Sequence, residues 1–425
     1  MSQSKPHLHV QMQSTQKRMG SLFTDNQILG RLSTIGCVAV EITQKCNLDC
    51  TLCYLSEHSQ QVADIPLEEI YRRLDEVILH YGRGTHVQIT GGDPTLRKHT
   101  ELVQIVEYAS DIGLHPALFT NGIGATRKLL TSLAEVGLRD VAFHVDTTQR
   151  RKIDGLEVDS ELVLNEIREE YLARAKGLRL MVIFNTTVHQ ENFSELPELV
   201  KFFRHRAGQI GLVSFQLQAD TGRGEWGERG VEISKQSVCQ QIEGGARREL
   251  PWDVVQVGHS DCHVYLPSLV INNEIFPLIE DKQLFADFLR DFKHVSWARD
   301  QGKFKLAMGF LGAVLRRPRW LAKISLHVVG FARRAAKDLL QARGRAHKLT
   351  IFVQNFMDAG ELVQERVDAC SFMVMTDTGP VSMCQHNAQR DDYILRPLEI
   401  TRVDGSKLSY KPLAVDVELS DDAAA

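Results

Sequence analysis

VAVEITQKCNLDCTLCY, residues 38–54, runs from an apolar, β-branched segment straight into three cysteines, Cys46, Cys50 and Cys53. The apolar part reads as a strand. The cysteines follow C-x3-C-x2-C spacing. A strand ending in a loop with three close thiols is first of all a metal site. Thiolates are soft ligands, suited to iron–sulfur clusters, zinc or copper(I). Zinc loops usually repeat C-x2-C or add a fourth ligand further along, and no fourth thiol lies nearby here. Three cysteines around four irons leave one iron with an open position, where chemistry can occur. A zinc loop and three buried thiols without metal are the other readings of the same residues.

A chain of 425 residues has room for two domains or for one large barrel with extensions. With 43% hydrophobic and 24% charged residues it can bury a sizeable core. The net charge of −4 offers no whole-chain attraction for nucleic acid, so none is expected as a partner. Eight cysteines in so long a chain do not form a secreted disulfide scaffold. Their spacing suggests reduced thiols of the cytosol. The opening MSQSKPHLHVQMQSTQKRMG lacks an apolar signal-peptide core, and no run reaches the roughly 18 apolar residues of a spanning helix. A cytoplasmic location is expected.

From Cys37 onward, strand-like and helix-like segments alternate. Strands are predicted at 37–43, 86–90, 114–120, 141–145, 178–185 and 212–217. Helices are predicted at 66–81, 98–112, 125–136, 160–176 and 194–205. Such alternation predicts a parallel sheet with right-handed crossovers. The fold class is α/β, a partial (βα)6 TIM-like barrel with a mixed helical and β C-terminal extension. The expected divisions are an N-terminal extension over 1–34, the barrel over 35–220, and a linker with a hairpin over 221–282. A basic amphipathic helical segment covers 283–348, and short strands, turns and a polar tail cover 349–425. Within the linker, ADTGRGEWGERG reads as a break, and VYLPSLVINNEIFP as a hairpin turning at Asn272–Asn273.

Gly91, Gly92, Asp93 and Pro94 follow the second strand. Two glycines let a ligand approach the backbone, whose N–H and C=O groups can then bind its polar ends. A plain turn is the bland reading. Asn121, Asp146 and Asn185 end later strands, where barrel enzymes place their sites. They also suit turns and helix caps. His144 reads as a satisfied interior histidine. Gln216 and Gln218 can both face the barrel interior.

The cysteine loop followed by GGDP resembles the radical S-adenosylmethionine (radical SAM) superfamily. The resemblance implies that Cys46, Cys50 and Cys53 are the catalytic cysteines and hold a [4Fe-4S] cluster. It implies that the open iron chelates S-adenosylmethionine, and that Gly91–Pro94, Asn121, Asp146 and Asn185 bed this cofactor. One electron then cleaves the sulfonium to a 5′-deoxyadenosyl radical, which takes hydrogen from unactivated carbon. A ferredoxin or flavodoxin is the implied electron donor. Leu52 stands where many members have an aromatic, and Asp93 where glutamate is commoner.

Two further features lie downstream. CSFMVMTDTGPVSMC, from Cys370 to Cys384, resembles the two-thiol hairpin of the superfamily's twitch and SPASM extensions. With Cys262 as third ligand, the resemblance implies an auxiliary [4Fe-4S] cluster. The fourth ligand is open among Cys239, His259, His263, His386 and substrate, and zinc or buried thiols are the other readings. Residues 294–348 hold thirteen lysines and arginines against two acids, Asp300 and Asp338, interleaved with large apolar residues. Basic residues among apolar ones on helices favour peripheral contact with an anionic membrane. A helical subdomain with a solvated charged face is the alternative. The whole pattern is similar to the tetraether-lipid-synthase-like subgroup, which implies a lipid chain as substrate and carbon–carbon bond formation. The alternative is modification of a peptide or of a small heterocyclic cofactor precursor.

Overall fold

The computed structural model describes residues 17, 19–28, 36–224, 233–292, 303–402 and 404–413. The N-terminal extension (1–34) and the polar tail lie largely outside the described residues. So do the end of the glycine-rich break and positions 293–302 of the basic segment.

The first strand, β1 (Cys37–Thr43), is buried along its whole length. A parallel strand covered on both faces needs an uninterrupted apolar run, which CVAVEIT nearly supplies. Helix α1 (Leu67–Tyr81) follows, with Glu68 and Glu69 in its first turn, where acids favour the helix dipole. Its Ile70, Leu74, Val77 and Tyr81 form the 4-3-4 stripe that seals it to the sheet. The alternation continues through β2 (His86–Gly91), α2 (His99–Asp111), β3 (His115–Thr120), α3 (Arg127–Glu135), β4 (Asp140–His144), α4 (Asn165–Ala175), β5 (Met181–Val188), α5 (Leu196–His205) and β6 (Ile210–Leu217). The six strands pair in parallel in chain order. The partial barrel is therefore present, with C-terminal ends of its strands on one side.

The second half contains the expected hairpin and helices, but past residue 349 it departs from the short strands and turns expected there. After α6 (Lys235–Ala246) comes the hairpin β7 (His263–Ile271) and β8 (Glu274–Pro277). It turns at Asn272 and Asn273, both at positive φ, as a two-residue hairpin requires. Helices α7 (Lys282–Asp291), α8 (Lys303–Leu315) and α9 (Pro318–Gln341) precede a nine-residue strand, β9 (His347–Asn355). β9 lies parallel to β6 and antiparallel to β7. Past the short α10 (Gln364–Asp368), β10 (Phe372–Thr376) pairs in parallel with β1, and β11 (Gly379–Ser382) closes a hairpin on it. The eleven-stranded sheet runs β8-β7-β9-β6-β5-β4-β3-β2-β1-β10-β11. Late strands thus extend both edges of the early barrel.

The two arms of this sheet meet through side chains. Phe352 of β9 and Phe372 of β10 stack with centroids 5.8 Å apart, and His263 of β7 lies 5.1 Å from the Phe372 ring. Helix α6 escaped the sequence reading because QQIEGGA carries two glycines, which look like breakers. Gly245 is needed for contact instead: a Cβ there would come 2.4 Å from the Pro197 carbonyl oxygen.

Candidate functional site

The cysteine loop leaves the end of β1, and Gly91–Pro94 leaves the end of the adjacent β2. The two are bonded together. The Gly92 N–H donates to the Thr43 carbonyl at 2.9 Å, and the Asp93 N–H to the Lys45 carbonyl at 2.8 Å. A Cβ on Gly91 would stand 1.9 Å from the Thr43 oxygen, and one on Gly92 2.0 Å from the Lys45 oxygen. The close approach that the glycines permit is therefore made by the cysteine loop's own backbone. The Tyr54 hydroxyl, one residue past Cys53, donates to the Gly91 carbonyl at 2.6 Å.

Asp93 is buried and turned toward protein. Its carboxylate accepts from the Thr95 N–H, from the Thr120 hydroxyl at 2.8 Å and from the Asn121 N–H at 2.8 Å. It ties the β2 loop to the end of β3. Asn121, so placed, donates its amide to Asn47 at 2.6 Å and sets the same nitrogen 3.8 Å from the Cys46 sulfur. Pro94 begins a 3-10 turn behind this contact.

Two clasps on the loop went unread in the sequence. The segment Thr221–Gly224, taken as part of a break, folds against the cysteines. The Gly224 N–H donates to the Cys53 carbonyl at 3.0 Å and the Arg223 N–H to the Leu55 carbonyl at 2.8 Å. The Arg223 guanidinium reaches the Ser59 hydroxyl, the Leu48 carbonyl and the Asp49 carboxylate. A Cβ on Gly222 would fall 2.3 Å from the Tyr54 carbonyl carbon. The T-G-R-G pattern was the available signal. The second clasp is Arg390, from helix α11 (Arg390–Ile394). It is buried, donates to Glu41 at 2.9 Å and to Gln44 at 3.1 Å, and lies 4.6 Å over the Tyr54 ring. Nothing in the sequence marks a partner this distant.

Cys46, Cys50 and Cys53 all face one cavity of about 650 Å³. Burial pushes the Cys46 and Cys50 thiols up, and the nearness of the other thiols and of an acid pushes each further. Ionised as ligands, three thiolates so close together would need a cationic partner. The donor set therefore fits a cluster. Among the described residues no three His, Cys, Asp or Glu converge on a single ion. Ligands of a cluster surround a four-iron body and need no such convergence.

Gly91, Gly92, Asp93, Asn121 and Asn185 also line the cavity. Asp146 does not. It is fully buried, and its oxygens accept from the Thr148 N–H, from the Thr187 N–H at 2.7 Å and from His144, 2.6 Å away. Its carboxylate thereby orders the loop after β4. His144 is satisfied by that contact and by Thr187. Gln216 lines the cavity, whereas Gln218 turns toward Asp220. Away from the cysteines the walls are mostly apolar, with Leu212, Val257, Phe285, Phe288, Leu289 and Phe352 among them.

A second group of thiols gathers at the seam between the two arms of the sheet. Burial, then Cys370, and also Cys262 push Cys384 up to about 12. The Arg366 guanidinium donates to the Cys262 sulfur at 3.3 Å, and the Met357 N–H to that of Cys384 at 3.4 Å. Cys370 donates to the Phe372 carbonyl at 2.9 Å. Cys37, buried at the start of β1, is pushed up by burial and by Cys370. The sequence reading passed over it as a core residue of the strand. Of the candidates for a fourth ligand, Cys239 packs in the main core on α6, and His386 stacks on Tyr393. His263 lies at the seam, and its Nδ1 is buried without a hydrogen bond. Burial and the nearby Arg366 push it down to about 3.

Residues 40–203 match the family model described as Radical SAM superfamily. The PqqA peptide cyclase of Bradyrhizobium diazoefficiens is 29% identical over 171 residues, which cover 39% of this chain and 42% of that protein. The 7,8-dihydro-6-hydroxymethylpterin dimethyltransferase of Methanocaldococcus jannaschii is 25% identical over 224 residues, covering 50% of this chain and 42% of that protein. Streptococcus suis SuiB, a solved structure, shares 14% identity at a TM-score of 0.40, covering 62% of this chain and 56% of that one. That likeness is too partial to bear on function. The chain spans about two-fifths of the length of these curated relatives. Neither of them is a lipid synthase, so the subgroup expected from the sequence finds no support among them.

Proposed function

We propose, for a chain whose residues 40–203 belong to the radical SAM superfamily, that it is an enzyme abstracting hydrogen from an unactivated carbon of a substrate held in the central cavity. The superfamily's cofactors are a [4Fe-4S] cluster and S-adenosylmethionine, which together supply a carbon-centred radical able to break an alkyl C–H bond. No acid or base does this near neutral pH, so a cofactor has to carry that chemistry. Cys46, Cys50 and Cys53 would hold the cluster. The single observation that carries the reading is the interlocking of their loop with Gly91–Asp93 at one end of one cavity.

The chain's own residues act by positioning. Asp93 fixes Asn121 beside Cys46, Arg223 and Gly224 hold the outer face of the loop, and Arg390 supports it from below through Glu41 and Tyr54. Leu48, Leu52 and Leu55 line the cavity beside the cysteines and exclude water from the site of a reactive radical. Cys262, Cys370 and Cys384, with Arg366 offsetting their negative charge, would hold an auxiliary [4Fe-4S] cluster. A ferredoxin or flavodoxin would supply the electron.

The peptide-cyclase and pterin-enzyme relatives support a peptide or a small heterocyclic cofactor precursor as substrate. A second reading, an apolar chain such as a lipid tail with carbon–carbon bond formation, is favoured by the apolar walls running from the cysteines to Phe285, Phe288 and Leu289. The test is anaerobic reconstitution with iron and sulfide, then reduction with S-adenosylmethionine. Release of 5′-deoxyadenosine is expected, and its absence from a fully reconstituted protein would overturn the reading. Deuterium transfer from labelled peptides or labelled acyl chains then separates the substrates.

A further inference from the structure

Helices α8 and α9 carry apolar stripes on the side turned away from the protein. On α8, Phe304, Met308, Leu311 and Leu315 follow at steps of four, three and four, and all are exposed, Phe304 to 80%. On α9, the apolar Ala322, Leu326, Val329, Ala336 and Leu340 share one face, with the cation Arg333 set among them. All six are exposed, Leu326 to 74% and Leu340 to 80%. Steps of three and four return to one face of a helix. The fold uses the opposite faces, where Ala313, Val314, Trp320 and Ala335 are buried. Single exposed apolar residues need no explanation, but such stripes on two consecutive helices mark a contact surface.

Charge identifies the occupant. Residues 303–341 hold nine lysines and arginines and one acid, Asp338, within a chain of net charge −4. Arg319, Lys323 and Arg334 pair with Asp291, Asp287 and Glu280 of the protein body. Lys305, Arg316, Arg333 and Lys337 are exposed and pair with no acid among the described residues. No helix of the described residues is long and apolar enough to cross a membrane. An apolar face edged by unneutralised cations, on helices that do not span, suits the surface of an anionic bilayer.

The inner side of the same helices reaches the cavity. Phe288 lines the cavity and packs on Phe310 of α8 at 6.0 Å and on Trp320 of α9 at 5.8 Å. We infer that the outer stripes of α8 and α9 are a docking face for an anionic lipid surface, joined through Phe288 to the apolar end of the cavity. The docking follows from the surface itself, whereas its use to admit substrate rests on the apolar-chain reading above.

The test is flotation of the full chain with phosphatidylcholine vesicles and with vesicles also containing phosphatidylglycerol. Binding to the anionic vesicles is expected to be at least tenfold stronger and to weaken with salt. The double variant Leu326→Asp/Val329→Asp should lose that gain, as should Arg333→Glu/Lys337→Glu if the first folds poorly. Leu79→Asp, at an exposed position on α1, should leave it unchanged. Equal or absent binding to both vesicle types overturns the inference, as does a soluble dimer that the Leu326 and Val329 variant dissolves. Flotation needs neither cluster nor S-adenosylmethionine. Deoxyadenosine release without vesicle binding sinks the docking face alone, and vesicle binding without cofactor cleavage supports it while sinking the proposed enzyme.

Discussion

The α-carbon of Gly92 faces the Lys45 carbonyl so closely that an added Cβ would stand 2.0 Å from its oxygen. The β2 loop and the cysteine loop therefore fold as one piece. Gly92→Ala should push them apart and destabilise the chain by roughly 1–3 kcal/mol through overpacking. Iron retained after reconstitution should fall several-fold, read as iron per chain against the parent protein. A variant that keeps full iron would show that the two loops separate freely.

Arg223→Ala tests the outer clasp. Among the described residues, no other side chain joins Leu48, Asp49 and Ser59 as this guanidinium does. The reconstituted cluster should bleach faster under a chelator, with little change in thermal midpoint. Equal bleaching rates would remove Arg223 from the site.

The seam thiols give a count. If Cys262, Cys370 and Cys384 hold a second cluster, the reconstituted chain carries about eight irons and Cys384→Ala about four. Cys239→Ala, in the core on α6, should change neither figure. Four irons in the parent chain would leave the seam without a cluster.

Glu41 sets a pH dependence. Burial alone would raise its carboxyl, but Arg390 and the Gln44 amide outweigh that and hold it at about 2, below the ordinary 4.5. A group depressed on folding stabilises the folded state above its unfolded pKa and ceases to do so as pH falls through the folded one. Arg390→Met leaves Glu41 buried without its partner and should cost about 3–5 kcal/mol at pH 7. The gap between variant and parent in urea unfolding should narrow as pH drops from about 5 toward 3, because the variant's Glu41 takes up a proton first. A gap independent of pH would mean that Arg390 acts by packing alone.

The barrel was legible because its signals are local. CVAVEIT reads as a strand, ILHY and its preceding turns as a helix face, and C-x3-C-x2-C as one loop. The contacts that complete the site are not local. Arg390 reaches Glu41 across most of the chain, Arg223 folds back on Ser59, and Cys37 meets Cys370 only because β10 pairs with β1. The surroundings of Asp146 were illegible for the same reason. A strand-end aspartate looks the same whether its carboxylate faces a ligand or, as here, the Thr187 N–H. The nine residues of β9 looked like fragments because HKL at its start is polar, although the strand is buried from Leu349 to Gln354.

The pairing of Cys37 with Phe372 and of Leu212 with Thr350 also orders events in time. As the chain emerges in sequence, β1 through β6 form a sheet whose two outer strands have no neighbours. Those edges stay open until β9 and then β10 are made. Contacts of such long sequence separation fold slowly and expose sticky strand edges meanwhile. A nascent chain of this protein is thus most prone to aggregate in the interval between Leu217 and Thr376, and it gains its closed, cluster-ready form only when that interval ends.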